Sequence, residues 1–255
     1  MFWSSSYPQP ILYSQRHSSR RREQQWQWVA ITGILFACGV FALPHDLSAS
    51  RFFHTSGLPG GLNELLEKAE TFAHGIGIAA ILLVIFVVDI HRRWAVPRVI
   101  LCAVSAGLAA NVIKLLIGRL RPHSADLTAQ ISDSFTGVLP LFSVGSSERS
   151  CPSAHTTVVI AFAIGLCWLY PRGRHLFIGF AVLAATQRIV TNAHFLSDVF
   201  WGAGLGYFLG RGIVAGWLTA NFFNRWEANQ YRSTSDPLDS AHPQIHSPST
   251  RRRAA

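Results

Sequence analysis

Residues 151–170 read CPSAHTTVVIAFAIGLCWLY. From Val158 to Leu169 the run carries no charge and reads as a helix in an apolar surround. At its mouth stand Pro152, Ser153, Ala154 and His155. Proline sets up a turn, serine is a preferred helix N-cap, and Ala154 and His155 then open the helix. Ionisable groups are rare in membrane helices and usually mark function. His155 is therefore a candidate functional residue if the surrounding chain lies in a bilayer.

The composition says that it does. Of 255 residues, 49% are hydrophobic and only 14% charged, against about 25% charged in soluble domains. A bilayer core about 30 Å thick needs about 20 apolar residues per helical crossing. Six candidate runs are present, at 26–43, 72–89, 96–118, 155–170, a shorter one at 176–190, and 197–218. Lipid offers no partners to backbone groups, so each run must be helical. The expected fold is all-α, an integral membrane bundle of six transmembrane helices spanning residues 26–222. Residues 1–25 and 223–255 are rich in Ser, Gln, Arg, Pro and His, and read as disordered tails. The polar leader before the first run is long for a signal peptide. That run is read as a retained helix, although DLSAS at 46–50 has small residues suited to cleavage. No internal repeat is visible.

Lys and Arg in short loops set orientation. Arg16, Arg20, Arg21 and Arg22 precede the first run. Arg92, Arg93 and Arg98 follow the second, Arg172 and Arg174 the fourth, and Arg251, Arg252 and Arg253 close the chain. Six crossings put all of these on one side, the cytoplasmic one. Segments 44–71, 119–153 and 191–195 then face outward. The net charge of +9 largely reflects this bias, and such basic tails suit anionic lipid headgroups. Scattered over loops and tails, the cations argue against nucleic-acid binding. Cys38, Cys102 and Cys167 lie in apolar runs and Cys151 alone lies outward. None has metal-ligand spacing.

Each outward segment carries ionisable residues. KLLIGRLRP, residues 114–122, holds Lys114 and Arg121 seven residues apart, nearly two helical turns, which predicts one shared helix face ended by Pro122. CPSAH offers a helix N-terminus, whose free amides and positive dipole end attract anions. A phosphate there would meet the Ser153 hydroxyl and the amides near Ala154, with His155 beside it. QRIVTNAHFLSD, residues 187–198, holds Arg188 and then His194 and Asp198. With a helix starting near Ala193, the carboxylate would hold one imidazole N–H and leave the other nitrogen nucleophilic. Three cations with free amides suit a phosphate. They would repel a metal ion, so no metal or cofactor is expected.

These motifs, K-x6-RP, PSAH and R-x5-H-x3-D, resemble the three signatures of the type-2 phosphatidic acid phosphatase family. That superfamily includes soluble bacterial acid phosphatases, glucose-6-phosphatase and vanadium haloperoxidases. The resemblance covers about residues 72–218. Ala154 stands where the family commonly has glycine, and Gln187 where it commonly has serine. The resemblance implies metal-independent hydrolysis of a lipid phosphate. His194 would attack phosphorus to form a phosphohistidine, with Asp198 orienting it. His155 would protonate the leaving oxygen and then activate water. Lys114, Arg121, Arg188, Ser153 and the Ala154 amide would hold the equatorial oxygens. The expected substrates are phosphatidic acid, phosphatidylglycerol phosphate, undecaprenyl diphosphate or a lipid A phosphate. The expected location is a bacterial inner membrane, with the site facing the periplasm or exterior.

A phosphotransferase on the same site stays open, because a phosphohistidine can pass its group to an alcohol. A haloperoxidase is disfavoured by six spans. A transporter would have its ionisable residues near the midplane rather than at one face. Outside the motifs, Gly202, Gly206 and Gly210 form a small-residue stripe suited to close helix packing. GLNELLEKAE, residues 61–70, reads as an amphipathic helix on the outer surface. His74 near the outward end of the second run reads as packing or interfacial, with a substrate contact as the alternative. Residues 123–150 form a long outward loop of the kind that gates a site.

Overall fold

The computed structural model describes residues 18–138, 149–219 and 222–226. Tail residues 1–17 and 227–255, and residues 139–148 of the outward loop, lie outside it. The helices are α1 (Ser18–Ala42), α2 (Asp46–Ser56), α3 (Gly60–Glu70), α4 (Gly75–Val88), α5 (Val96–Leu116), α6 (Ala154–Leu169), α7 (Arg174–Val190) and α8 (Leu196–Val214). Each predicted apolar run contains a helix, and the amphipathic segment is helical too, now α3. Two tail boundaries move. Residues 18–25 form the first turns of α1, and residues 222–226 are helical.

The helix α6 is the axis of the bundle, packing against α5, α7 and α8, while α1 lies along the far side of α8. Its Val159, Ala161, Phe162, Leu166 and Leu169 are buried. On one side they meet Val99, Ala103, Ala181 and Ala184, with Ile78, Leu82 and Ile85 of α4 in the same cluster. On the other, Ala161 joins Cys102, Ala106, Ile213 and Val214. The small-residue stripe explains how close α8 comes. A Cβ on Gly202 would lie 2.7 Å from the Ser153 carbonyl oxygen, and one on Gly206 only 2.3 Å from that of Thr157. The stripe thus brings the start of α8 against the start of α6, as the small-residue pattern predicts.

The outer faces of the helices are apolar. Ile34, Val40 and Phe41 of α1, Leu83, Val84 and Val87 of α4, Val104 and Leu108 of α5, and Leu176 and Val182 of α7 are all exposed. So continuous an apolar surface is not sustained in water, and it suits lipid contact; the chain is an integral membrane protein. By length and composition, Gln25–Ser56 and Arg93–Leu116 can each cross a bilayer. The pair α3 and α4 becomes a third candidate if its 63° bend lies within one span. The helices α6, α7 and α8 have 16, 17 and 19 residues, at or below the usual crossing length.

The strictly all-α expectation needs one correction. After Leu116 the chain leaves the helix and forms β1 (Ile117–Arg119), antiparallel to β2 (Phe135–Val138). Gly118 faces Gly137, whose φ of 126° suits only glycine. Lys114 therefore sits in the last turn of α5, and Arg121 lies beyond a strand. The two do not share a helix face.

Candidate active site

The strand β1 builds the back of the site. Leu120 bridges to Arg149, and the Ser150 amide donates to the Arg119 carbonyl at 2.7 Å. Arg119 is 1% exposed. Its Nη1 donates to Asp198 Oδ1 at 2.6 Å and to Ser197 Oγ at 2.8 Å, and its Nη2 donates to Asp46 Oδ2 at 2.6 Å. Asp46, the first residue of α2, also accepts from the Ser197 amide at 2.9 Å and from the Ser197 hydroxyl at 2.5 Å. The rings of Phe195 and Phe135 lie 4.3 and 4.7 Å from the guanidinium carbon. Burial works to lower the pKa of such an arginine, but Asp198 and Asp46 hold it above the ordinary value.

Asp198 is fully buried. Its Oδ2 accepts the Phe195 amide at 3.0 Å at the start of α8, and the Ser150 hydroxyl donates to the same oxygen. His194 precedes this helix instead of lying on its face. Ser150 stands between the two, with its Oγ 3.4 Å from His194 Nδ1. Any orientation of the imidazole by Asp198 thus passes through Ser150, not through the direct contact that the H-x3-D spacing suggests. The loop before the helix is pinned from the other side. Asn192 adopts a left-handed φ of 52°, which asparagine tolerates better than most residues. The Ala193 and His194 amides then donate to the Arg188 carbonyl at 3.1 and 3.0 Å. With Nδ1 facing Ser150, Nε2 is the ring nitrogen turned away from that contact.

His194 is 1% exposed. Burial first, and then the charges of Lys114, Arg121 and Arg188, hold its pKa well below the ordinary 6.5. The imidazole is therefore neutral at physiological pH. All three predicted cations, Arg121 included, are near enough to act on it electrostatically, although they sit on three different elements. Lys114 is 4% exposed, and its carbonyl accepts from Arg149 at 2.9 Å.

Ser153 caps α6, as its sequence position predicts. Its Oγ accepts from the Thr156 amide at 3.4 Å and from the Thr156 hydroxyl at 3.0 Å. Its own amide donates to the Asp198 carbonyl at 3.1 Å, tying the two motifs directly. Ala154 is the first residue of α6. His155, next to it, is more open, with its side chain 35% exposed.

A carboxylate that the motifs do not contain stands at the front. Glu70, the last residue of α3, has Oε1 2.5 Å from Arg188 Nη1 and 3.9 Å from His155 Nε2. Its Oε2 accepts from Gln187 Nε2 at 3.1 Å. His74 caps α4, its Nδ1 accepting the Ile76 amide at 3.4 Å. Among the described residues, no group of three His, Cys, Asp or Glu side chains could hold a metal ion. From Ile189 and Leu196, next to the site, a largely apolar groove of about 700 Å3 runs between α6, α7 and α8 as far as Cys167 and Arg211.

This geometry belongs to a known class. The model of the PAP2 superfamily matches residues 95–231, and the chain belongs to that superfamily. Two lipid A 1-phosphatases are similar to part of it. That of Rhizobium johnstonii is 35% identical over 118 residues, covering 46% of each chain. That of Rhizobium etli is 37% identical over 118 residues, covering 46% of this chain and 48% of the relative. The similarity thus spans about half the length of these relatives. The crystal structure of a transmembrane PAP2-type phosphatidylglycerolphosphate phosphatase from Bacillus subtilis shares the fold. Its TM-score is 0.52 at 20% identity, over 78% of this chain and 95% of that one.

Proposed function

We propose that this protein is a lipid phosphate phosphatase working through a phosphohistidine on His194. The observation that carries this reading is the state of His194. It is buried and neutral beneath the charges of Lys114, Arg121 and Arg188, with Nδ1 turned to Ser150. A neutral imidazole is a nucleophile, and three cations are what a phosphate needs around it.

In the first step the Nε2 lone pair forms a bond to phosphorus while the bond to the leaving oxygen breaks. His155 gives its proton to that oxygen. In the second step His155 takes a proton from water, the water oxygen bonds to phosphorus, and the N–P bond returns its electrons to His194. Asp198, acting through Ser150, favours the imidazolium-like charge on His194. Lys114, Arg121, Arg188, Ser153 and the Ala154 amide hold the equatorial oxygens, where transition-state charge spreads. Fixed cations do the work of a metal, so turnover is expected without one.

The chain is read as one phosphatase domain over residues 26–222 with six crossings. The site then lies on the outward face, on the periplasmic side of a bacterial inner membrane, and the basic tails lie in the cytoplasm. Lipid A 1-phosphate is the substrate to test first, a choice supported by the names of the relatives, followed by phosphatidic acid, phosphatidylglycerol phosphate and undecaprenyl diphosphate. The apolar groove beside the site supports a lipid over a soluble ester.

The test is phosphate release by the purified protein in detergent with EDTA, over these four lipids and a soluble phosphomonoester. The expected result is EDTA-resistant release that is fastest on a lipid. Release abolished by EDTA, or fastest on the soluble ester, contradicts the reading.

A further inference from the structure

We propose that Glu70 is an internal anion that occupies the phosphate place on Arg188 and must be displaced for substrate to bind. This rests on the reading of Arg188 as a phosphate ligand.

Three observations meet at this carboxylate. It sits on Arg188 Nη1 at 2.5 Å, as a phosphate oxygen would. It lies 3.9 Å from His155 Nε2, the proposed proton donor to the leaving oxygen. It is held there by the 3.1 Å hydrogen bond from Gln187 Nε2, the residue at which this chain departs from the resembled motif. A serine at that position has no side chain long enough to match Gln187's reach. The Gln187 Oε1 also accepts from Arg188 Nη1 at 3.2 Å, so carboxylate, amide and guanidinium form one closed group.

With this group closed, His194 is 1% exposed. The carboxylate ends α3, a short helix whose Leu62 and Leu65 are exposed and whose Leu66 and Ala69 are buried. Only residues 71–74 separate it from α4, across the 63° bend. Displacing Glu70 therefore requires a change of its side-chain rotamer or a shift of the last turn of α3, which Leu66 and Ala69 anchor. The device also sorts ligands by charge. A phosphomonoester dianion competes with a carboxylate for Arg188 better than the monoanionic diesters of ordinary phospholipids, which surround the site in great excess.

The experiment is the affinity of the full-length protein in detergent for inorganic phosphate, by isothermal titration calorimetry. It compares wild type with Glu70→Gln, Gln187→Ser and Arg188→Ala. Removing the negative charge beside the ligand is expected to tighten phosphate by about fivefold or more in Glu70→Gln. Gln187→Ser, which only loosens the carboxylate, is expected to shift affinity the same way by less. It decides the matter if Glu70→Gln does not fold. Phosphate affinity unchanged or weaker in the folded variants overturns the proposal. Arg188→Ala separates the two levels of inference. If it abolishes binding while the Glu70 and Gln187 variants match wild type, the gate alone fails. If it leaves binding unchanged, the phosphate site itself fails and the gate with it.

Discussion

Two arginines of this site, Arg119 and Arg188, are each paired to carboxylate, and the fold treats them differently. Behind His194, Arg119 is 1% exposed and binds Asp46, Asp198 and Ser197 between two aromatic rings. In front, Arg188 meets one carboxylate, Glu70, whose side chain is 32% exposed and stands on a surface helix. A buried charge left without its partner is expensive, so the rear network has one stable arrangement. The front pair, with Arg188 12% and Glu70 32% exposed, has fewer partners holding it, and it is the pair we propose a ligand replaces. On the proposed reading, the same kind of contact serves as scaffold in one place and as binding site in the other.

The comparison can be broken by substitution. The largest expected effect lies between the two regions. His194→Ala is expected to lower kcat by about 10⁴-fold or more, with the thermal midpoint little changed, because it removes the bond-forming atom. Equal loss of activity and of folding would mean that His194 belongs to the scaffold. Next, Arg119→Met leaves Asp46 and Asp198 buried without a counter-charge. It is expected to cost about 3–5 kcal/mol of stability, read as a large drop in melting temperature in detergent. Third, Arg188→Ala is expected to lower kcat/KM by about 10²-fold to 10³-fold while melting close to wild type. A stability loss matching that of Arg119→Met would erase the distinction between back and front.

The smallest effect sharpens the account by pH. The pKa of His194 is held well below 6.5, so the folded imidazole stays neutral as pH falls through that value. The kcat/KM profile should then show no His194 inflection near 6.5. The unfolded chain does take up that proton, so this residue's effect on stability turns unfavourable as pH falls below 6.5. A nitrogen resonance of His194 titrating at 6.5 would contradict the burial argument.

How much of this was legible in the sequence follows from the range of each interaction. Helix positions come from apolar runs, which are local, and each of the six runs contains a helix. The Ser153 cap and the glycine stripe are local patterns too, and both pack as read. Arg119 and Asp46 were not found, because they are 73 residues apart and neither falls on a motif position. A charge census of the outward segments could have found them. Positive residues are disfavoured there, so an arginine in segment 119–153 calls for a carboxylate, and Asp46 and Glu70 are among the candidates in the outward segments. The shared helix face for Lys114 and Arg121 failed because a strand pairing, formed with residues almost 20 positions later, ends α5 at Leu116. Ser150 escaped notice because a serine in a long loop has no local signature, and only the bridge at Leu120 and Arg149 carries it to His194.

The most direct test of the central claim is chemical. The protein is mixed for milliseconds with a ³²P-labelled lipid phosphate, quenched in alkali, digested and mapped by mass spectrometry. The expected result is an acid-labile, alkali-stable phosphoryl group on the peptide that contains His194, absent from His194→Ala. Rapid turnover with no labelled peptide, or the label on another residue, would contradict it.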